Sequence, residues 1–396
     1  MGPQPSAIPN AGFVRPYSDD VYMPVGCSRM NDERDGNHIM PAPRTKCKTI
    51  HRAYILKTGF CGIWSITASN SLGPCPRTGH FFCHDQANQK IYIGYGLSQN
   101  EEPLDDFWEL DIKTLKWRKI PLIGDKVTPR SGAKGCLIGK RIVLFGGYSE
   151  PNYFSDLHTI ELGTGIVSMV QTNGSCPSPR SSPIIGFYNN KFFVWGGYNG
   201  EWPNELNILD LDTMTWRQIQ QGISGRTSIP FVQINEILYC YGGSKSGGML
   251  CLNMDKEELT IKECIGAPPP SQSISAGMVQ VEKYLFYFGG KLANNSNKWT
   301  LMYACDIKRM WWFVFHIIPD GESVSIADGS ISDTGLFMLP RIHSFGVSYI
   351  KEKRTIMAFL GYPLKDPPPL FSVYIGDAMS MIHLREDMIA VLNNEQ

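Results

Sequence analysis

No run of eighteen or more apolar residues occurs in this 396-residue chain, so no segment reads as a membrane-spanning helix. Charge of one sign is lacking too. The 37 basic and 37 acidic residues cancel, which removes any global electrostatic case for nucleic acid or for an anionic membrane surface. The eleven cysteines are odd in number and never spaced as CxxC, and the opening MGPQPSAIPNAGF has neither a basic nor an apolar leader region. Together these features predict free thiols in a reducing compartment, with a cytoplasmic location as the expectation and a nuclear one as the alternative left open. P-loop, G-x-S-x-G and HExxH patterns are missing, so the common catalytic signatures are not there to build on. What remains is ample for a fold. Apolar residues make up 42% of the chain, and charged residues, at 19%, are too few for a disordered one.

Residues 1–50 carry seven prolines and little periodicity. From about residue 50 the texture changes to short apolar runs bounded by Gly, Pro, Asn and Asp, the length and punctuation of buried strands. KIYIGYG, RIVLFGGY, KFFVWGGY, EILYCYGG and YLFYFGG are examples. The glycines closing these runs fall at Gly96, Gly147, Gly197, Gly243, Gly290 and Gly361, in steps of 51, 50, 46, 47 and 71 residues. The long last step holds an insertion, DGESVSIADGSISDTG. Two further features keep the same phase. A Pro-Arg or Gly-Arg step opens repeats at Arg77, Arg130, Arg180, Arg226 and Arg341, and an acidic strand end precedes a tryptophan by six residues at Asp111/Trp117, Asp210/Trp216 and Asp306/Trp312.

A unit of about 50 residues with four short strands is one small antiparallel sheet, which must stack on its neighbours to bury both faces. Closing such sheets radially gives a β-propeller. The fold class is therefore all-β, with six clear four-stranded blades. Residues 51–67, HRAYILKTGFCGIWSIT, look like the last two strands of a further unit, and DVYMPVG ending at Gly26 like its glycine strand. Because the final repeat is expected to own a full strand set through FSVYIG and SMIHL, a degenerate seventh blade at the N-terminus is predicted. The rival is six blades closed by an N-terminal strand. The expected organisation is a Pro-rich segment over 1–50, a propeller over 51–385 and a short tail over 386–396.

In its double glycines, spaced tryptophans and opening arginines, the stretch 70–385 resembles the kelch-repeat family. Kelch propellers host many roles, so the resemblance implies the fold more firmly than the function. Trp117, Trp216 and Trp312 hold a fixed place in the repeat, which assigns them to packing between blades, each burying about 150 Å² or more. His80 and His84 are four apart in HFFCH; on a strand that is about 13 Å, too far to share one zinc. His80 also stands where kelch repeats commonly carry histidine. Cys136, Cys240, Cys251 and Cys305 fall in expected strands and read as small hydrophobes, while Cys27, Cys47 and Cys61 are freer. No metal and no cofactor is assigned. The Tyr, His and Tyr-Cys set of a galactose-oxidase-like enzyme is not recognisable, and SISDTGLF lacks the leading Ser and the Trp of a sialidase box. A propeller enzyme is thus the rival to the reading taken here, a non-catalytic module that binds a peptide or protein partner.

Two groups are candidates for that contact. The loops after the glycine strands should emerge on one face, bringing together Tyr148, Tyr153, Tyr198, Trp202 and Trp299, residue types favoured at binding hot spots. The second group comes with the resemblance: in similar substrate adaptors, arginines at the P-R-S-G-like step point into the channel mouth and hold acidic or carboxylate-ended peptides. Here that implies Arg77, Arg130, Arg180 and Arg226, with Arg341 in the divergent PRIH step as the weakest member. A guanidinium fork grips a carboxylate bidentately, so an acidic partner is expected. A structural role, bonding carbonyls between blades, is the alternative. The C-terminal AMSMIHLREDMIAVLNNEQ carries a helical pattern at Leu384, Met388, Ile389 and Leu392. An adaptor box of the ubiquitin-ligase kind wants Cys four residues after Leu; Met388 stands there, which leaves a ligase substrate-receptor role as an alternative.

Overall fold

The computed structural model describes residues 62–244, 247–292, 298–323, 337–376 and 378–379. Each apolar run forms a strand with its branched and aromatic residues buried on both faces, as Ile91, Tyr92 and Ile93 are in Lys90–Gly94. The first blade runs Phe81–Asp85, Lys90–Gly94, Phe107–Asp111, Lys116–Ile120 from the axis outward, all antiparallel, with Phe81 opposite Gly94, Lys90 opposite Asp111 and Leu110 opposite Trp117. The same up-and-down order repeats over residues 134–169, 184–219, 231–262 and 274–315. The acidic residue ending the third strand fastens the next turn: Asp111 accepts from the Thr114 amide at 2.8 Å and Asp210 from the Thr213 amide at 2.9 Å.

The sixth blade corrects the predicted blade count. Its strands are Gly346–Ile350, Thr355–Phe359, Leu370–Tyr374 and, outermost, Gly62–Thr67, with Trp64 opposite Val373. The N-terminal strand expected to belong to a seventh blade instead completes the last one. The reason is physical: an uncovered Leu370–Tyr374 edge would leave a row of backbone groups unpaired, and a strand from the other end of the chain satisfies them while locking the ring. Trp64 is buried against Phe371, ring centroids 5.5 Å apart. SMIHL, DVYMPVG and the tail 386–396 lie outside the described residues, and the described ones form six blades.

The repeating glycines stitch the blades together. The Gly96, Gly147, Gly197, Gly243 and Gly290 amides donate to the carbonyls of Arg130, Arg180, Arg226, Ser273 and Ile342, each on the following blade, at 2.8, 2.9, 2.8, 3.1 and 2.8 Å. The circle closes where Gly361 donates to Arg77 on the first blade, at 3.0 Å. Close approach and positive φ explain why glycine is required; at Gly147, φ is +113° and a Cβ would sit 2.9 Å from the Arg130 side chain. Nearer the axis, Gly79, Gly132, Ser182, Ser228, Ser275 and Ser344 all have φ between +49° and +66°, and five amide-to-carbonyl bonds link them in turn. Large rings fill the gaps between blades: Trp117, Trp216 and Trp312 are buried, the last with Tyr241 and Tyr287. Full burial of one such side chain contributes about 1.5–3 kcal/mol. Among the described residues, no helix is long and apolar enough to cross a membrane.

Candidate functional site

The opening arginines come first, because their guanidinium groups decide what the upper face can offer. Arg77, Arg130 and Arg180 are at most 1% exposed. Each turns into its own blade. Arg77 pairs bidentately with Asp106, its second bond 2.9 Å long, and also donates to the Tyr95 carbonyl at 3.2 Å. Arg130 does the same with Asp156 and the Gly146 carbonyl, and the Phe154 ring lies 3.7 Å from its guanidinium carbon. Arg180 pairs with Glu205 and donates to the Gly196 carbonyl at 3.1 Å. Burial pushes the Asp106 carboxyl upward, but the bonds and charge of Arg77 outweigh it and hold the group below the usual carboxylate range; Glu205 is held low by Arg180 in the same way. Three of the four expected forks are thus neutralised clamps within blades, in place of an open ring at the channel mouth.

Arg226 differs. The carboxylate in each of the first three blades stands five residues before the end of the third strand, at Asp106, Asp156 and Glu205. In the fourth blade that position, counted back from Asn253, is Gly248. Arg226 keeps the carbonyl bond, to Gly242 at 3.0 Å, but no carboxylate pairs with it among the described residues. In the fifth and sixth blades both partners of the clamp change together: Ser273 with Leu301, and Ile342 with Pro369. The hydrogen-bond register therefore makes Ile342, and not Arg341, the equivalent of the opening arginines. Arg341 reaches back instead, to the Gly290 and Trp299 carbonyls at 3.4 and 3.1 Å.

The loop aromatics do assemble. Tyr148 meets Tyr153 at 4.7 Å between ring centroids, Tyr153 meets Tyr198 at 6.2 Å, and Tyr198 meets Trp202 at 5.3 Å. The track starts on the second blade and crosses to the third. Backbone pairing fixes its base: Tyr148 exchanges two hydrogen bonds with Ser131, and Tyr198 two with Ser181, the residues following Arg130 and Arg180. Loops after the second strand and the arginine steps therefore share one face. Trp202 is 59% exposed and its carbonyl packs against Gly225, the residue before Arg226, whose own side chain is buried at 5% exposed. The three tyrosines are half-buried. Trp299 sits apart, on the fifth blade, pairing with Pro340.

Other candidates resolve into packing. His80 is buried and its pKa is lowered to about 3 by burial first and then by the Arg77 and Lys134 charges. Burial pushes the Cys136 thiol up to about 12 and the Cys251 thiol to about 11, which makes them unreactive at neutral pH. Cys27, Cys47, Cys61 and the helical pattern from Leu384 lie outside the described residues. Among the described residues no group of three His, Cys, Asp or Glu side chains gathers as a metal site would need. The Gly248 substitution and the lysine at position 134 escaped the sequence reading, although both are visible once the repeats are aligned strand by strand.

Comparison with known proteins agrees with the blades. Residues 44–243 match the family model described as the KLHDC2/KLHL20/DRC7 Kelch-repeats domain. Kelch domain-containing protein 1 of Mus musculus is 24% identical over 259 residues, 55% of this chain and 64% of the relative. Acyl-CoA-binding domain-containing protein 4 of Arabidopsis thaliana is 27% identical over 182 residues, 46% of this chain and 27% of the relative. Host cell factor 1 of Homo sapiens is 29% identical over 182 residues, 39% and 9% of the two chains. The chain thus spans less than two thirds of the length of each of these relatives.

Proposed function

This chain belongs to the kelch-repeat family, and from that premise we propose that it is a non-catalytic interaction module whose upper face takes an acid-bearing peptide or protein partner. Propellers of this family are typically protein-interaction modules. The observation that carries the finer reading is the aromatic track from Tyr148 to Trp202, whose last carbonyl meets Gly225, next in sequence to Arg226, an opening arginine with no carboxylate pair among the described residues. Tyrosine and tryptophan supply large contact area at small entropic cost, and arginine supplies a directional anion contact. A partner crossing the second to fourth blades with aromatic or apolar side chains followed by a carboxylate would satisfy both. The neutralised Arg77, Arg130 and Arg180 serve to hold the loops that carry this surface. Selection of displayed random peptides on the intact propeller tests the reading. Enrichment of acidic residues beside apolar ones is expected; enrichment of basic sequences overturns it.

A further inference from the structure

The ring of blades leaves a cavity on its axis, about 330 Å³, to which all six blades contribute. That is the lower end of the range for small-molecule sites. Most of its wall is apolar, from residues such as Phe81, Phe231, Met278 and Phe345. Ser182, Ser228, Ser275 and Ser344 add hydroxyl-bearing residues from four consecutive blades.

One lining residue breaks the pattern of the repeat. Lys134 stands two residues after Gly132, and the matching positions in the other blades hold Phe81, Ile184, Pro230, Gly277 and Gly346. This lysine, half-buried, puts a cation into a wall that the other five blades build from apolar or small residues. No hydrogen bond or ion pair joins its ammonium group to any of the described residues, and the cavity lining contains neither Asp nor Glu. Partial desolvation in the cavity wall lowers its pKa to about 8. Beside it in the lining is His80, 6% exposed, with both ring nitrogens lacking a hydrogen-bond partner.

We propose that the axial cavity binds a small amphipathic monocarboxylate, its anionic end on Lys134 and its apolar body against the aromatic wall. The unpartnered imidazole and the serine hydroxyls are hydrogen-bonding groups placed to hold the second carboxylate oxygen or a polar substituent. The site is separate from the aromatic track and does not depend on how that track is used. An anion arriving beside a lysine whose pKa has been pushed down restores its proton, so binding near pH 8 takes up protons.

The test uses phenylacetate, its neutral analogue phenylacetamide and inorganic phosphate as probes on the intact chain, with binding read by ligand-observed NMR. Phenylacetate should bind about tenfold or more tighter than phenylacetamide, and Lys134→Met should abolish that preference while keeping weak binding of both. Equal binding of the two probes to the native chain, or no binding of either, overturns the proposal without recourse to any variant. Retention of the preference in Lys134→Met overturns the role of the lysine, and competition by phosphate as strong as by phenylacetate overturns the amphipathic character. Peptide binding to the upper face should be unchanged in Lys134→Met, which separates failure of this site from failure of the face.

Discussion

The ring of Tyr153, on the second blade, meets the ring of Tyr198, on the third, edge to face with centroids 6.2 Å apart. That contact turns two separate loops into one surface. Tyr198 also touches Trp202, so it sits in the middle of the track. Tyr198→Ala should lower affinity for a selected peptide by about 2 kcal/mol or more, while the thermal midpoint stays nearly constant because the side chain is only half-buried. Calorimetric titration with a parallel melt checks this. Loss of stability equal to the loss of binding would mean that the tyrosine is packing and not contact.

The arginine clamps make an opposite prediction. Arg130→Met leaves Asp156 without its bidentate partner and should destabilise the chain by about 3–5 kcal/mol; adding Asp156→Leu should recover most of that. Arg226→Met, with no carboxylate to strand among the described residues, should cost far less. Urea midpoints for the three variants decide it. A loss at Arg226 as large as at Arg130 would contradict the distinction between them.

Stability should depend on pH well above the carboxylate range. His80 has its pKa lowered from 6.5 to about 3 in the fold, so between those values the unfolded chain binds the extra proton. Its contribution is complete above pH 6.5 and is lost as pH falls toward the folded value, with a slope of about 1.4 kcal/mol per pH unit at most. His84, His158 and His343, lowered chiefly by burial, add in the same direction. His80→Phe should flatten the profile measured by urea unfolding across that window. An unchanged slope would show that the imidazole is not buried neutral.

Ring closure rests on the outer strand of the sixth blade. Trp64→Ala removes a side chain only 1% exposed and should cost about 3–5 kcal/mol, with hydrogen exchange rising first at Leu370–Tyr374. Exchange rising first in the third blade would contradict closure at this seam.

Much of the fold was legible because the glycine series is enforced locally: six amides must each approach the next blade, and glycine permits it. The aromatic track was legible for the same reason, since loops in one phase emerge on one face. The closure strand was not, because the partner of Trp64 is Val373, some 300 residues away, and nothing near Gly62–Thr67 encodes that choice. Register in the sixth blade misled for a different reason: the dipeptide Pro340-Arg341 mimics the opening step, but the bond from Gly290 lands on Ile342. The arginine series carried both a binding and a structural meaning until the carboxylates at Asp106, Asp156 and Glu205 were seen beside three of them.

The central claim is that the upper face binds its partner through the aromatic track and Arg226. A double-mutant cycle on a peptide selected against the native propeller tests it most directly, pairing Arg226→Met with replacement of the peptide's carboxylate by the amide. Each single change should weaken binding about tenfold or more, and the second should add almost nothing once the first is made. Losses that simply add, or binding untouched by Arg226→Met, would contradict the account.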